Sequence, residues 1–266
     1  MKRPKKNNIR LVETGRLAYY RKAADESFWE QHWAEHLKPE TYQYAEKGEL
    51  GFFSEPFLKY LPRNGKIIEA GCGLGHNVLA LRTLGFDCEG VEWAHETVKA
   101  VLDIMPDLPV KRGDVVELDV GDGYFDAYIS LGVVEHRREG PEPFLEEAFR
   151  VLSDDGIMLL SVPYYHALRR FKSKLGLFKG EIDDLEFYQY AFSLKEMKKI
   201  MEKMKFEIVD TFGYDGFKGI KDEIPLLLKI FEIKYIGWRL RLWLKRWKLG
   251  NRFFPHMMLF ICKKRP

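Results

Sequence analysis

A glycine-rich turn between an apolar run and a helical segment constrains this chain more than any other feature. The sequence EAGCGLG occupies residues 69–75, after a short apolar run and before a helical pattern. Glycine lets the backbone turn sharply and lets a ligand approach the main chain. The helix that follows offers unpaired N–H groups to an anion. A strand, a glycine turn and a helix in this order predict a ligand-binding edge in an α/β sheet.

Apolar strand-like runs alternate with helical patterns on both sides of this turn. Strands alternating with helices predict parallel βαβ units with right-handed crossovers. A Ser193/Glu196 pair also predicts a capping box for a helix near the end of the chain. The predicted strands are 66–70, 86–91, 109–112, 125–130, 156–162, 206–212 and 257–262, and the predicted helices are 76–84, 94–104, 141–152 and 193–204.

Four regions are predicted from these patterns and from changes in composition. The aromatic-rich residues 14–60 are expected to be helical, after a polar tail. The regions are a tail and helical lid at 1–63, an α/β domain at 64–264, an insertion at 163–192 within it, and a basic amphipathic segment at 222–250.

The residues of the turn discriminate between two classes of ligand. A dinucleotide-binding loop has the pattern G-x-G-x-x-G, but this chain has His76 at the position of the third glycine. A carboxylate at the strand end, Glu69, would repel a pyrophosphate and suit a cation. The turn therefore favours a cationic nucleoside over NAD(P), and an NAD(P)-dependent oxidoreductase remains an alternative.

Further acidic positions follow the next strands. Glu92 ends the second strand at close to the spacing of about 20 residues that suits a carboxylate on ribose hydroxyls. The pair Asp114-Val115 follows the third strand, where an acid can accept an adenine amino group and an apolar side chain can cover the ring. The pair Ser130-Leu131 ends the fourth strand. Together these positions predict one nucleoside site.

The motifs EAGCGLG, VEW, GDV, FDAYISLGVVEH and FRVLSDDGIMLLSVP resemble, in this order, those of class I S-adenosylmethionine (SAM)-dependent methyltransferases. They are most similar to the small-molecule group that includes the ubiquinone- and menaquinone-pathway enzymes, and the resemblance is best over residues 66–164. It implies a Rossmann-like, doubly wound seven-stranded sheet of order 3-2-1-4-5-7-6 with the last strand antiparallel. An N-terminal helical segment and an insertion after the fifth strand would complete the α/β fold.

The resemblance also implies SAM as cofactor and S-adenosylhomocysteine as product. Glu69 departs mildly from the family, which more often has Asp there, and Trp93 would stack on adenine. The implied cofactor-binding residues are Glu69, Gly71, Cys72, Gly73, Gly75, Asn77, Glu92, Trp93, Asp114, Val115, Ser130 and Leu131.

His136 is the candidate catalytic base. It follows the fourth strand at the ligand edge, and its ordinary pKa suits proton transfer near neutrality. A role limited to bracing the loop is the alternative. Because the sulfonium supplies the leaving group, no metal is required. We expect methyl transfer to a small-molecule or lipid-linked acceptor, more readily at oxygen than at nitrogen or carbon.

Two further readings of the sequence stay open. The pattern H-x-x-E-H at residues 32–36 matches an inverted zincin motif, in which two histidines one helical turn apart could bind zinc. A catalytically inactive SAM-binding module would keep the fold and lose the activity.

Composition limits the location and the partners. The three cysteines are far apart and form no CxxC pair, which favours a reducing cytoplasm. The basic start of the chain lacks the apolar run of a secretory signal. Residues 229–248 carry seven Lys/Arg and one Glu among three tryptophans, a pattern typical of a helix at the inner face of an anionic membrane or of a helix packed on the sheet. No nucleic-acid-binding motif is visible.

Overall fold

A computed structural model describes residues 9–21, 25–38, 40–224 and 248–265. Short 3-10 turns at Ala45–Lys47, Gly51–Phe53 and Val134–His136 supplement the helices and strands. The strands are β1 Ile9–Glu13, β2 Arg16–Arg21, β3 Lys66–Ala70, β4 Asp87–Glu92, β5 Val110–Arg112, β6 Phe125–Leu131, β7 Leu152–Pro163, β8 Glu186–Ala191, β9 Phe206–Tyr214 and β10 Met257–Lys264. The helices are α1 Glu26–His36, α2 Ser54–Tyr60, α3 His76–Thr83, α4 His95–Ile104, α5 Glu142–Val151, α6 Ala167–Lys174, α7 Leu194–Lys203, α8 Gly216–Lys221 and α9 Lys248–Phe253.

The larger sheet has seven strands in the order β5-β4-β3-β6-β7-β10-β9. Numbered along the chain within this sheet alone, the order is 3-2-1-4-5-7-6, as predicted. β3 pairs in parallel with β4 and β6, and β4 pairs in parallel with β5. The helices α3 and α4 connect these parallel strands, as a crossover requires. The α/β, Rossmann-like fold class is confirmed.

The last strand, β10, is antiparallel to its neighbours. The N–H of Tyr164, just after β7, donates to the carbonyl of His256, just before β10, over 2.9 Å. At the other end of β10, the N–H of Arg265 donates to the carbonyl of Lys205, just before β9, over 2.8 Å. A bond between the end of one strand and the start of the next occurs only in antiparallel pairs.

The apolar runs of the sequence form the buried interior of this sheet. Ile67 and Ile68 in β3 and Leu159 and Leu160 in β7 are at most 1% exposed. Strands covered on both faces become nearly continuous apolar runs rather than alternating ones. This burial explains why continuous apolar runs in the sequence identified the strands of this sheet.

Residue contacts divide the chain into two compact units. The described residues within Ala24–Leu160, Lys199–Asp210 and Phe260–Pro266 form the unit that contains the glycine-rich turn. The described residues within Met1–Ala23, Ser161–Lys198 and Thr211–Leu259 form the other unit, and each is described separately.

The expectation of a helix from residue 14 is wrong at its start, because Arg16–Arg21 is the strand β2. Thr14 and Gly15 both have positive φ, +48° and +87°, which is the geometry of a two-residue hairpin turn of type I′. β1 and β2 therefore form an antiparallel hairpin. The recurring aromatics suggested a helical face, but Tyr19 and Tyr20 are buried in a strand, where aromatic residues are favoured.

The predicted insertion at 163–192 contains α6 and β8, and it completes a second sheet. β8 pairs antiparallel with β2, which gives the order β1-β2-β8. Leu17, Tyr19, Tyr165 and Ala191 form a buried cluster in this unit. The segments before and after the main α/β stretch are thus joined by strand pairing between residues distant in sequence.

The basic segment predicted at 222–250 lies largely outside the described residues, and so do residues 229–247, on which the membrane prediction depends. Among the residues described, no helix combines the length and apolar character needed to cross a membrane.

Candidate active site

Strand register brings the predicted site residues to one edge of the sheet. Ala70, which ends β3, pairs with Val91, and Glu69 pairs with Ile129 of β6. Glu92, which ends β4, pairs with Arg112, which ends β5. The glycine-rich turn, Glu92 and the segments that follow β5 and β6 therefore emerge side by side at the carboxyl ends of parallel strands. Ligands bind at this edge in open α/β sheets.

The glycine-rich turn has a backbone and surroundings that other residues cannot share. Gly71 and Gly73 have φ values of +79° and +52°, which disfavour side chains. A Cβ at Gly71 would lie 2.4 Å from Cγ2 of Val133, and a Cβ at Gly73 would lie 2.5 Å from Cζ2 of Trp33. Gly75 immediately precedes α3, also with positive φ. The turn therefore depends on glycine at these positions, and the N–H groups of Gly71, Gly73 and Gly75 donate within the fold, to Val91, Glu92 and Cys72.

Glu92 organises the turn through backbone hydrogen bonds. Its Oε2 accepts from the N–H of Gly73 over 2.8 Å, and its Oε1 accepts from the N–H groups of Trp93 and Ala94 over 2.9 and 3.0 Å. A carboxylate has about four acceptor sites, so Oε2 retains capacity for another donor. Backbone hydrogen bonds therefore hold Glu92 in place, and its Oε2 can accept one more.

Glu69 is buried with one oxygen uncompensated. Its Oε1 accepts from Nδ2 of Asn77 over 2.7 Å, while Oε2 has no hydrogen-bond partner among the described residues. Burial raises the pKa of this carboxyl to about 7. An unpaired buried carboxylate oxygen is costly, and a cationic ligand would offset that cost.

The side chain of Cys72 packs beneath the turn rather than into the ligand edge. A Cβ at Gly90 would lie 2.7 Å from its Sγ, so the absence of a side chain at Gly90 makes room for the thiol. Burial raises the pKa of the thiol well above its usual value. The Cys72 side chain therefore does not face a ligand at this edge, and its N–H donates to the carbonyl of Val91 over 3.0 Å.

The remaining predicted cofactor residues differ in exposure. Asp114 is exposed, and its Oδ1 accepts from the N–H of Val116 over 3.0 Å. Val115 and Ser130 are buried, and Leu131 is partly buried. Trp93 is 45% exposed, which leaves an indole face free for a planar ligand.

The helix α1 lies against the turn, a contact that the sequence suggested only as a lid. The Trp33 indole contacts Gly73, as the short Cβ distance shows. Glu26 on α1 accepts from the N–H of His95 over 3.3 Å and pairs with Arg112 over 3.1 Å. Ala94, the N-cap of α4, makes no side-chain cap bond. The sequence analysis did not predict this contact, and an alanine at the N-cap position of α4 is the one local feature that could have indicated it.

His136 and Glu135 follow β6 in a 3-10 turn at the same edge. The His136 ring meets the Trp29 ring edge-on at 5.0 Å between centroids, and its Nε2 lies 4.0 Å from Oε1 of Glu135. Glu135 is 2% exposed, and burial raises the pKa of its carboxyl to about 8. From the sequence, Glu135 could be either a helper of His136 or a structural partner; the structure shows it as a second buried acid beside the candidate base.

The H-x-x-E-H pattern does not assemble a zinc site. The rings of His32 and His36 lie 4.5 Å apart, but Nδ1 of His36 is engaged by the carbonyl of His32 at 2.6 Å. Glu35 accepts from Gln31 on the exposed side of the helix. Across the described segments, no group of three or more potential ligands gathers around a common point.

Comparison with known proteins identifies the family. The family described as "Methyltransferase domain" matches residues 32–211, which are more than half of the chain and include the glycine-rich turn, Glu92 and His136. The chain belongs to this methyltransferase domain family.

Individual relatives are distant. A protein of Mycolicibacterium smegmatis named "Probable S-adenosylmethionine-dependent methyltransferase" is 26% identical over 157 residues, which cover 59% of this chain. The match spans 57% of that relative's length.

Solved structures share the fold at low identity. The 1,6-didemethyltoxoflavin-N1-methyltransferase of Burkholderia thailandensis, with its acceptor and S-adenosylhomocysteine bound, has a TM-score of 0.57 and 15% identity, covering 97% of this chain and 100% of that one. A SAM-dependent methyltransferase of Methanosarcina mazei has a TM-score of 0.55 and 16% identity, covering 79% of this chain and 97% of that one. The narrower likeness to quinone-pathway enzymes stays a prediction.

The residues at the edge fit the cofactor of this family. SAM carries an ammonium, a sulfonium, a carboxylate and a nucleoside. The uncompensated oxygen of Glu69 suits a cation, the start of α3, which has no side-chain cap, suits a carboxylate, and the spare acceptor capacity of Glu92 suits a ribose hydroxyl. These three groups are therefore chemically compatible with the cationic, carboxylate and ribose groups of the cofactor.

Proposed function

We propose that this chain binds SAM at the glycine-rich turn and transfers its methyl group to a small-molecule or lipid-linked acceptor. The observation that carries the proposal is the buried Glu69 carboxylate, with one oxygen unpartnered among the described residues, at the foot of a turn that admits only glycine. A pyrophosphate would meet repulsion there, which disfavours the NAD(P) alternative. The family match supports the same reading.

In this proposal each residue has a separate task. Glu69, held by Asn77, faces the positive charge of the amino-acid end. The turn of Gly71, Cys72, Gly73 and Gly75 lets the cofactor approach the main chain closely, and Glu92 accepts from the ribose. The adenine would lie among Trp93, Asp114, Val115, Ser130 and Leu131.

The bound cofactor supplies an electrophilic methyl group on a sulfonium leaving group. The chain must then hold the acceptor in line and, for a hydroxyl, remove its proton. His136, beside Trp29 and Glu135, is the candidate for that step. Trp29 and Trp33 on α1 would help to exclude water from the reacting groups.

Direct binding of S-adenosylhomocysteine, measured by calorimetry, tests the cofactor assignment. We expect Gly73→Arg to abolish binding, because its side chain would collide with Trp33. Gly121→Arg is the matched control: Gly121 is exposed with nothing within 4 Å of an added Cβ, so binding should be unchanged. Normal binding by the Gly73→Arg protein would refute the assignment.

A milder variant guards against misfolding in that experiment. Glu92→Gln keeps the shape of the side chain and removes its charge, so we expect binding to weaken by roughly tenfold or more, the usual value of hydrogen bonds to a charged group. Thermal unfolding of each variant would confirm that the fold is retained.

A screen of hydroxyl, amine and carbon acceptors, read by release of S-adenosylhomocysteine, tests the reaction. Preference for hydroxyl acceptors would support transfer to oxygen. A His136→Gln protein should then lose turnover while keeping cofactor affinity, and its pH–rate profile should lose the limb that reports the base. Binding of SAM without turnover on any acceptor would instead favour an inactive module.

A further inference from the structure

The outward face of α6 carries large apolar side chains in solvent. Phe171 is 58% exposed and Leu175 is 57% exposed, and residues four positions apart lie on one side of a helix. Leu177, directly after the helix, is 59% exposed. These three side chains form an exposed apolar ridge.

Cations flank this ridge on the same face. Arg170 and Lys174 are exposed and precede Phe171 and Leu175 by one position each. Residues 167–179 include five Lys/Arg and no Asp or Glu. We call Arg170, Phe171, Lys174, Leu175 and Leu177 the α6 face. Its charge is therefore positive without an acidic neighbour along the helix.

The opposite side of α6 is fixed by ion pairs within the same unit. Arg169 is 1% exposed, and its Nε pairs with Oε1 of Glu223 over 3.0 Å. Lys172 Nζ pairs with Oε2 of Glu223 over 2.7 Å, and Arg169 Nη1 donates to the carbonyl of Tyr164 over 2.8 Å. Arg169 and Lys172 share the Glu223 carboxylate and hold the helix in place, whereas Arg170 and Lys174 are exposed to solvent.

A second helix of this unit repeats the pattern independently. In α9, Leu249 and Phe253 are 57% and 55% exposed and lie four positions apart. Arg252 precedes Phe253 and is exposed, and in the sequence Lys248 precedes Leu249. The repeat of a cation followed by a large apolar residue at helical spacing argues against a chance exposure on α6.

We propose that the α6 face docks on the surface of an anionic membrane. Apolar side chains beside cations on an otherwise packed helix are the pattern of helices that lie in the lipid interface, with the cations near the headgroups. Anionic headgroups attract each exposed Lys or Arg, and the ridge enters the apolar boundary. The proposal concerns placement of the protein and does not depend on the methyl acceptor.

The charge and the apolar ridge of the α6 face favour a membrane over a second copy of the chain or a nucleic acid. A twofold interface between two copies of the chain would place one cationic α6 face against the same cationic face of the other copy, which is repulsive. Nucleic acid would use the cations but would leave the Phe171–Leu177 ridge in water. A lipid surface satisfies both the charge and the ridge.

Co-sedimentation of the full chain with vesicles tests the proposal. We expect binding to vesicles of phosphatidylcholine with phosphatidylglycerol, weak binding to phosphatidylcholine alone, and loss of binding at high salt. Replacing Phe171, Leu175 and Leu177 together by Ser should lower the partition coefficient more than about tenfold. Replacing Arg170 and Lys174 by Gln should lower it about fivefold per charge.

Leu58→Ser with Ile104→Ser is the matched control, because both side chains are similarly exposed, at 45% and 51%, in the other unit. This control should bind vesicles as the unchanged chain does. Equal binding by the α6-face variants, or equal binding to neutral and anionic vesicles, would overturn the proposal. A dimer in analytical ultracentrifugation that only the α6-face variants dissociate would show a face between copies instead and would also overturn it.

Discussion

Both units of this chain bury glutamates, and most of these have partners within the fold: in the unit with the glycine-rich turn, for example, Glu147 is paired with Arg150 over 2.6 Å. The contrast lies between the acids at the ligand edge and Glu223 of the other unit. In the unit with the glycine-rich turn, Glu69 and Glu135 each have a carboxylate oxygen without a described partner, and burial raises their pKa values to about 7 and about 8. In the other unit, the cations Arg10, Arg169 and Lys172 surround Glu223, and they hold the pKa of its carboxyl down at about 2 despite its burial.

This difference distinguishes a buried acid with a structural role from a buried acid at a ligand-binding site. A buried acid surrounded by cations has its interactions satisfied within the fold, so it contributes structure. A buried acid that lacks a cation is costly unless a ligand supplies one. Burial alone would therefore not have identified the ligand edge, whereas the missing partners do.

The largest effect on stability is expected at Glu223, whose carboxylate is paired with three cations. Glu223→Gln would leave the buried cations around a neutral amide, so we expect a loss of about 3–5 kcal/mol in the free energy of unfolding, measured by urea denaturation. Since the folded pKa lies below the ordinary value, this stabilisation is present above about pH 4.5 and disappears as the pH falls towards 2.

The exposed pair of Arg265 and Glu207 provides the control for this prediction. Its side chains are 57% and 50% exposed, so Glu207→Gln should change the unfolding free energy by less than about 0.5 kcal/mol. If Glu223→Gln were equally mild, the account of that unit would be wrong.

An opposite effect on stability is expected at Glu69. Its folded pKa is raised from 4.5 to about 7, so ionisation opposes folding, and stability should fall as the pH rises from about 4.5 to 7. Glu69→Gln should therefore stabilise the protein by about 1–3 kcal/mol at pH 8 and leave it unchanged at pH 4. The same change should weaken binding of S-adenosylhomocysteine at pH 8.

Urea denaturation at both pH values and calorimetric binding measure the two effects. Glu139→Gln serves as control, because that side chain is 77% exposed and should alter neither. A Glu69→Gln protein that loses stability at pH 8 would show that the carboxylate is satisfied within the fold, and the contrast with Glu223 would collapse.

The smallest effect is expected from a neutral cap in the unit that contains Glu223. Ser193 Oγ accepts from the N–H of Glu196 at the start of α7, over 3.3 Å. Ser193→Ala should cost about 1 kcal/mol, equally at pH 5 and pH 8 because no charge is involved. Denaturation of this variant and of Ser193→Asn, which retains an acceptor, distinguishes a lost cap from a packing defect.

The sequence was sufficient for the main sheet because buried parallel strands and their helices have strong local signals. The apolar runs at β3 and β7 and the glycine turn between β3 and α3 needed no tertiary information. The hairpin β1–β2 was mistaken for helix because its aromatic spacing is ambiguous, and β2 becomes a buried strand only by pairing with β8, far away in the sequence.

The candidate site divides in the same way. The identities of Glu69, Gly73 and Glu92 followed from the chemistry that a strand-end turn imposes. The sequence did not predict that Trp33 contacts Gly73 or that Glu26 accepts a hydrogen bond from the start of α4. Both contacts join α1 to segments that only folding brings near.

By itself, the sequence determined the positions of the main strands along the chain, the glycine-rich turn and the acids at the ends of strands, because these depend on local patterns and on residue types with few uses. The order of the strands in the sheet came from the resemblance to a known family. The tertiary structure alone decided which buried acids have partners. Compensation of a charge depends on distances between residues that lie far apart along the chain, and no local pattern records them.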